Sequence, residues 1–416
     1  MATVGIIGLG YVGLPLVVAF AQEGCEVIAV DTDADKVAAI GRGESYIEDV
    51  PAHVLSACAG RISATTRYAQ LAQAEAVLMC LPTPLSANRE PDLGPLIEAA
   101  RALAEVLRTD QLVVLESTTY PGTTRERLAP LLEESGLAAG RDFHLAFSPE
   151  RIDPGRSDFT LRNTPKVVGG LTEACAERAE ALYRIVCEQV VRVSSPEAAE
   201  LAKLLENIFR SVNIALVNEL AMLTDRMGID IWEVVEAAAT KPYGFMRFDP
   251  GPGMGGHCLP VDPFYLTWRA REFDIATEFI ELAGKVNQRM PYHCVEMAQR
   301  ALNDAGLSVK GARVGLLGVS YKPGVGDLRE SPALKIIRLL RELGAEISYH
   351  DPHVPALPEL DLAGRPLSQV LSDSDLVIIV TAHADVDHDL AAKRARLLLD
   401  LRGVTRTSTA ANVVRL

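Results

Sequence analysis

A cysteine and an aspartate stand four residues apart in the segment Pro250 to Asp262, PGPGMGGHCLPVD. The glycines before them, Gly251, Gly253, Gly255 and Gly256, let the main chain come closer to a ligand than a residue with a side chain would allow. In that setting Cys258 reads as a covalent nucleophile, His257 as a candidate base and Asp262 as an orienting carboxylate. An inert thiol in a Gly/Pro turn would be written with the same letters, so the assignment depends on what the rest of the chain supplies. Lys203 and Asn207 lie four apart in a run of helical period and so share a face. An ammonium and an amide placed there can stabilise charge developing on oxygen, although a lysine on a solvated stripe has the same spacing.

A second constellation opens the chain. Val4 to Ile7 reads as an apolar strand running into Gly8-Leu-Gly10-Tyr11-Val12-Gly13, with a helical pattern through Phe20. Such a turn brings a pyrophosphate onto bare backbone at a helix N-terminus. A second strand, Glu26 to Val30, ends in Asp31, placed to accept from a ribose 2′-hydroxyl and to repel a 2′-phosphate. Thr32 and Asp33 follow instead of arginine, which favours NAD over NADP, with Arg42 the nearby cation that could reverse the preference.

The elements that must position these groups alternate. Strands are expected near Val4, Val27, Ala76 to Leu81, Leu112 to Glu116, Phe143 to Phe147 and Val167 to Val168, with helices between, which predicts a doubly wound parallel sheet. Ligands of such sheets bind beyond the carboxyl ends of the strands, where Pro82-Thr83-Pro84, Ser117-Thr118 and Ser148-Pro149-Glu150 stand. After Pro196 an apolar stripe at helical period, Leu201, Leu204, Leu205, Ile208, Val212, Leu216 and Leu220, runs toward Gly228. It is longer than one small domain would cover, which predicts a homodimer interface. From Arg313 the strand–helix pattern restarts, with Gly315 and Gly318, a helix from about Ser331, and strands Glu346 to Tyr349 and Asp375 to Val380. The expected fold class is α/β: two Rossmann-like doubly wound domains, residues 1–195 and 301–416, joined by a helical dimerisation domain, 196–300.

Composition narrows the partners. A net charge of −14 argues against nonspecific nucleic-acid binding. The first apolar stretch is interrupted by Gly8, Gly10, Gly13 and Pro15 and has no basic leader, so neither a signal peptide nor a membrane span is expected, and the cytoplasm is the expected location. Seven cysteines without a C-x-x-C pair predict neither a disulfide framework nor a bound metal.

Together these motifs resemble the nucleotide-sugar 6-dehydrogenases, the family of UDP-glucose, GDP-mannose and UDP-N-acetylhexosamine dehydrogenases. The resemblance spans the chain: Gly8 to Gly13, Cys80-Leu-Pro-Thr-Pro84, Glu116-Ser-Thr-Thr-Tyr-Pro-Gly122, Ser148-Pro-Glu150, Lys203 with Asn207, Gly255-Gly-His-Cys258 with Asp262, Gly318-Val-Ser-Tyr-Lys322 and Asp327-Leu-Arg-Glu-Ser331. It implies a four-electron oxidation of a sugar carbon-6 alcohol to a carboxylate, with two NAD reduced in turn. By that resemblance Cys258 carries the thiohemiacetal and thioester, and Lys203 and Asn207 stabilise the oxyanions. Lys203 or a water, held with Asp262, takes the first proton, while Thr118, Glu150 and Asp262 position or activate the hydrolytic water. It further implies NAD contacts from Gly8, Gly10, Tyr11, Val12, Gly13, Asp31, Lys36, Thr83, Thr118 and Arg329, and UDP-sugar contacts from Glu150, Arg151, Lys203, Asn207, Gly255, Lys322 and Arg402.

The chain also departs from the family. Pro154 stands where the UDP-glucose branch has a second glutamate, and Asp400-Leu-Arg402-Gly403 has glycine in place of asparagine. The loop Thr240-Lys-Pro-Tyr-Gly-Phe-Met246 resembles the UDP-N-acetylglucosamine branch, though Arg247 follows it. UDP-N-acetylglucosamine is therefore the expected substrate, with UDP-glucose and UDP-N-acetylmannosamine as alternatives. A β-hydroxyacid dehydrogenase would share the NAD domain, lysine and asparagine but needs neither Cys258 nor a second nucleotide domain. A non-catalytic NAD-binding protein would have no use for the complete set Thr118, Glu150, Lys203, Asn207, Cys258 and Asp262.

Overall fold

The computed structural model describes residues 2–47, 49–84, 86, 90–152, 158–256 and 262–416. Pro154, His257 and Cys258 lie outside the described residues. The chain divides into two compact units, Met1–Glu206 with Phe264–Ile275, and Asn207–Pro263 with Ala276–Leu416.

Among the described residues of the first unit, eight strands form one sheet: β1 (Thr3–Ile7), β2 (Glu26–Val30), β3 (Ile62–Thr65), β4 (Ala76–Met79), β5 (Leu112–Leu115), β6 (His144–Phe147), β7 (Lys166–Gly170) and β8 (Val190–Val193), in the order β3-β2-β1-β4-β5-β6-β7-β8. β4 and β5 are apolar and buried at every position, the pattern of strands covered on both faces. Helices α1 (Gly13–Gln22), α2 (Ala34–Gly41), α3 (Ala52–Cys58), α4 (Gly94–Ala104), α5 (Ala129–Leu132) and α6 (Glu173–Tyr183) lie wholly within this unit. Asp33 caps α2 and Thr172 caps α6, each side chain accepting from first-turn N–H groups that have no partner within the helix.

The sheet is parallel from β3 through β6 and then reverses. β7 runs antiparallel to β6, with Ala146 opposite Gly170 and Phe147 opposite Gly169, and β8 follows β7. Alternation of strand and helix does not forecast this reversal, nor the short strands β3 and β8, where polar or exposed residues interrupt the apolar run.

α7 (Pro196–Met227) is 32 residues long, about 48 Å at 1.5 Å per residue. Its apolar stripe splits: Leu204 and Ile208 are buried, whereas Leu201, Leu205, Leu216 and Leu220 are 40 to 63% exposed. α8 (Ile231–Ala239), α9 (Asp262–Ala270) and α10 (Glu278–Asp304) follow. In the second unit, β9 (Arg313–Leu317), α11 (Pro332–Glu342), β10 (Glu346–His350), the small pair β11 (Ala356–Leu357) and β12 (Leu362–Ala363), α12 (Leu367–Asp373), β13 (Leu376–Ile379), α13 (His388–Arg394), β14 (Leu398–Asp400) and β15 (Val413–Arg415) complete the fold. Its parallel sheet has the order β10-β9-β13-β14-β15. Ala221 of α7, Trp232 of α8 and Met290 of α10 belong to one apolar cluster with Val314, Ile337 and Ile378, so these helices share the core of the second sheet.

Candidate active site

The glycine turn has the shape a dinucleotide needs. Gly8 has φ 87°, a region that L-residues avoid, and a Cβ there would lie 2.3 Å from the Cys80 carbonyl oxygen. A Cβ on Gly13 would lie 1.8 Å from the Gly8 oxygen, whereas one on Gly10 would meet nothing within 4 Å. Gly8 and Gly13 thus close the turn against β4 and α1, and Gly10 leaves the backbone open at the N-terminus of α1. Asp31 Oδ2 accepts from the Leu9 N–H at 2.8 Å and from Lys36 Nζ at 3.4 Å, and Oδ1 accepts from the Asp33 N–H at 2.9 Å. A carboxylate has about four lone-pair directions, so it keeps capacity for a ribose hydroxyl. The Tyr46 hydroxyl donates to the Leu9 carbonyl at 2.7 Å, and burial pushes its pKa above the usual tyrosine range. Tyr11 is half exposed, and Val12 is the residue preceding α1. Arg42, the possible phosphate reader, instead forks onto Glu44 at 2.9 and 2.7 Å. These residues fit NAD.

The carboxyl ends of β4 and β5 are stitched together. Ser117 Oγ accepts from the Leu81 N–H and donates to its carbonyl, at 2.9 and 2.8 Å, and the Thr83 hydroxyl donates to the Thr118 carbonyl at 2.7 Å. Beyond β6, Glu150 Oε1 accepts from the N–H groups of Arg151 and Ile152 at 2.7 and 2.6 Å, and Oε2 faces Lys166 Nζ at 3.3 Å. Burial, the strongest influence on Glu150, raises its pKa, but the Lys166 charge, those two donors and the Lys203 charge outweigh it and hold the carboxyl below its usual range. Lys166 Nζ also donates to Glu116 Oε2 at 2.8 Å, and the Tyr183 hydroxyl donates to Glu116 Oε1. Arg151 spans to the Pro165 carbonyl at 2.5 Å and to Glu206 at 2.7 Å. Near the start of α7, fully buried Glu200 accepts from the Gly122 and Thr124 N–H groups at 2.6 and 2.9 Å and from the Thr124 hydroxyl at 2.7 Å, tying down the loop after Thr118. Burial raises its pKa to about 7 against the pull of those donors.

Lys203 is buried on α7 one turn before Asn207. In the second unit, Asn207 Nδ2 donates to Asp262 Oδ2 while its Oδ1 accepts from Arg210, so Asn207 and Asp262 meet in a buried hydrogen bond. The segment leading toward Cys258 is held at both ends: the Gly251 N–H donates to Asn218 Oδ1 and the Gly256 N–H to the Arg329 carbonyl, both at 2.9 Å. A Cβ on Gly255 would stand 2.7 Å from Tyr321 Cβ, so glycine alone fits there. Lys322 Nζ lies 5.6 Å over the Tyr321 ring, Arg329 is exposed and forks onto Asp327, and Arg402 Nε donates to the Val380 carbonyl at 2.7 Å. Asp351, at the tip of β10, accepts from the Val319 and Ser320 N–H groups at 2.7 and 3.1 Å and from buried His383 at 3.1 Å. His353, His383 and Asp385 cluster, but the other His383 ring nitrogen accepts from the Gly324 N–H, which leaves that histidine no lone pair for a metal.

Sequence reasoning did not single out Lys166, Tyr183 or Glu200, and it read Glu116 only as part of a motif. A charged residue heading the apolar run Lys166-Val-Val-Gly-Gly was the available signal.

A glycine turn built for NAD, a lysine and asparagine on one buried helical face, and a second Rossmann-like sheet define a nicotinamide-dependent dehydrogenase. The chain belongs to the UDP-glucose/GDP-mannose dehydrogenase family: its NAD-binding domain matches residues 2–187, its central domain 197–289 and its UDP-binding domain 315–407. A UDP-N-acetyl-D-glucosamine 6-dehydrogenase of Pseudomonas aeruginosa is 37% identical, the match covering 92% of this chain and 90% of that protein. A UDP-N-acetyl-D-mannosamine dehydrogenase of Pyrococcus horikoshii is 36% identical over 97% and 96%. The solved structure of a UDP-D-ManNAc dehydrogenase from Pyrococcus horikoshii superimposes with a TM-score of 0.90 at 33% identity, covering 99% of this chain and 98% of that one. No helix among the described residues is long and apolar enough to cross a membrane.

Proposed function

We propose that the chain oxidises the carbon-6 hydroxymethyl of UDP-N-acetylglucosamine to a carboxylate through a thioester on Cys258. The observation that carries the chemistry is the buried pairing of Asn207 with Asp262, the aspartate four residues beyond Cys258. NAD, when bound, accepts a hydride at each of the two oxidations. Lys203 or a water, held with Asp262, takes the proton of the sugar hydroxyl. The Cys258 sulfur then adds to the aldehyde carbon, and Lys203 and Asn207 donate to the oxyanion so formed. After the second oxidation, Thr118, Glu150 and Asp262 orient the water that opens the thioester. Gly255, Lys322 and Arg402 contact the UDP-sugar, Arg151 supports it, and Arg329 lies on the cofactor side.

The acetamido sugar is favoured by the Lys241-Pro-Tyr-Gly-Phe245 loop and by the Pseudomonas aeruginosa relative. UDP-N-acetylmannosamine is the second reading, favoured by the TM-score of 0.90 to the Pyrococcus horikoshii enzyme. The exposed leucines of α7 support a homodimer through that helix, and a reaction drawing on NAD and a nucleotide sugar is in keeping with the cytoplasm. The test is kcat/KM for UDP-N-acetylglucosamine, UDP-N-acetylgalactosamine, UDP-N-acetylmannosamine and UDP-glucose. A site that hydrogen-bonds the acetamido group rejects UDP-glucose by up to about 10⁴-fold; a clear preference for UDP-glucose overturns the assignment of the sugar.

A further inference from the structure

The reversal of β7 places a lysine where a parallel strand would put none. In a parallel sheet the first residue of a strand lies at the edge away from the ligand, but β7 runs against β6, so its first residue, Lys166, lies at the carboxyl edge. Phe147 is opposite Gly169, and the Ser148 hydroxyl donates to the Val167 carbonyl at 2.8 Å, so the same register continued brings Glu150 opposite Lys166. The Lys166 side chain is only 3% exposed. An ammonium that deep in a protein requires compensation by charge, and it has two carboxylates, Glu116 at 2.8 Å and Glu150 at 3.3 Å. Glu116 is wholly buried and secured on its far oxygen by Tyr183, whereas Glu150 is 16% exposed. Tyr183, Glu116, Lys166 and Glu150 thus form a chain of contacts with its more exposed carboxylate at the Glu150 end.

From this arrangement we infer that Lys166 is a positioning residue for thioester hydrolysis, fixing the orientation of Glu150 and keeping it a carboxylate, while Glu116 and Tyr183 fix Lys166. The inference rests on the function proposed above. In the step concerned, water adds to the acyl carbon as its proton passes to Glu150. The carbon–sulfur bond then breaks with its electron pair leaving on Cys258, and that sulfur recovers the proton, giving the sugar carboxylic acid, which ionises. Glu150 Oε1 is engaged by two backbone N–H groups, and Oε2 faces the ammonium, so the group is restrained at both oxygens. The ionisable groups acting on Glu150 are Lys166 from β7, Glu116 from the end of β5, Lys203 from α7, and the buried thiols of Cys80 and Cys187. Lys166 is the cation closest in this set with a direct contact to the carboxylate.

Lys166→Met alone strips buried Glu116 of its cation and can unfold the unit. The test therefore uses the double variant Lys166→Met/Glu116→Gln, which removes both charges, beside the conservative Lys166→Arg. NAD affinity by fluorescence reports whether the fold is kept. kcat and KM are measured from about pH 3.5 to 9, a range that reaches below the usual glutamate pKa where the wild-type acid limb is expected, and the acyl-enzyme is followed by intact-protein mass spectrometry. For the double variant, kcat falls about tenfold or more with KM little changed. The acid limb of its kcat profile moves up, by less than the about 1–3 pH units that follow from removing an opposite charge alone, because the negative charge of Glu116 beside Glu150 goes with it, and acyl-enzyme accumulates. Lys166→Arg returns the limb toward its wild-type position but leaves kcat reduced, because the longer, planar guanidinium cannot reproduce the geometry. Wild-type kcat and an unmoved acid limb in both variants, or a drop in kcat without acyl-enzyme, would overturn the inference alone. A wild-type enzyme that forms no acyl-enzyme with any nucleotide sugar overturns the proposed function and this inference together.

Discussion

Glu200 provides a measurable test of how the first unit is held together. Its carboxyl is fully buried, bonds to Gly122 and Thr124, and has its pKa raised from 4.5 to about 7. A carboxyl that binds its proton more tightly folded than unfolded contributes stability that is complete below pH 4.5 and lost as pH rises through about 7. Integrated between pH 5 and 8, the loss is about 2–3 kcal/mol. Glu200→Gln keeps the shape and one carbonyl acceptor for Thr124 but turns an NH₂ toward the Gly122 N–H, leaving that donor unsatisfied at a cost of about 1–3 kcal/mol at every pH. The variant is therefore less stable than the wild type at pH 5, and the gap between them closes or reverses by pH 8. The chain has two tryptophans, and Trp268 stacks at 5.0 Å on Tyr120, in the loop that Glu200 holds. In a Trp232→Phe background its fluorescence reports urea unfolding of the first unit, where the expected change in the gap is on the order of 1 M in midpoint. A gap that stays constant from pH 5 to 8 would show that the carboxyl is ionised throughout and refute the reasoning.

The remaining expectations concern the site and the assembly. Cys258→Ser stops the second oxidation, because serine is the poorer nucleophile at neutral pH and its ester the slower to hydrolyse; counting NADH per sugar acid checks this, with two required of the wild type. Asp31→Ala weakens NAD binding by roughly ten- to a hundredfold and narrows the preference over NADP, as titration with the two cofactors would reveal. Charged residues on the exposed stripe, as in Leu205→Glu with Leu216→Glu, convert a dimer to a monomer in light scattering; a wild-type monomer that is fully active at micromolar concentration contradicts the dimer.

Much of this was legible because the controlling interactions are local. The turn from Gly8 to Gly13 is set by contacts within one βα unit and with the adjacent strand, and Lys203 and Asn207 share a face through helical period alone. The Lys166 network was not legible: its partner Glu116 lies 50 residues away, and the two meet only because β7 reverses. Glu200 is joined to Gly122 across 78 residues, and in the sequence it looks like any other glutamate near the start of a helix. The leucine stripe announced an apolar face without saying what covers it, since periodicity records which residues avoid water and not which neighbour excludes it. Nor does periodicity reveal that Ala221, Trp232 and Met290 pack into the core of the second sheet.

Asp31 and Asp351 are the same fastener used twice. Each stands at the tip of the second strand of its sheet and closes the glycine turn next door, Asp31 through the Leu9 N–H and Asp351 through those of Val319 and Ser320. Anyone redesigning the enzyme to accept a phosphorylated cofactor would turn first to Asp31, because its charge repels the extra phosphate. That residue is also a structural tie, so deleting its side chain loosens the very turn on which either cofactor must sit. Asp31→Asn gives up the charge yet keeps an oxygen for Leu9, and is the sounder starting point for exchanging one cofactor for the other. At Asp351 the same exchange would disturb a buried histidine instead, so two identical ties in one polypeptide tolerate alteration very differently.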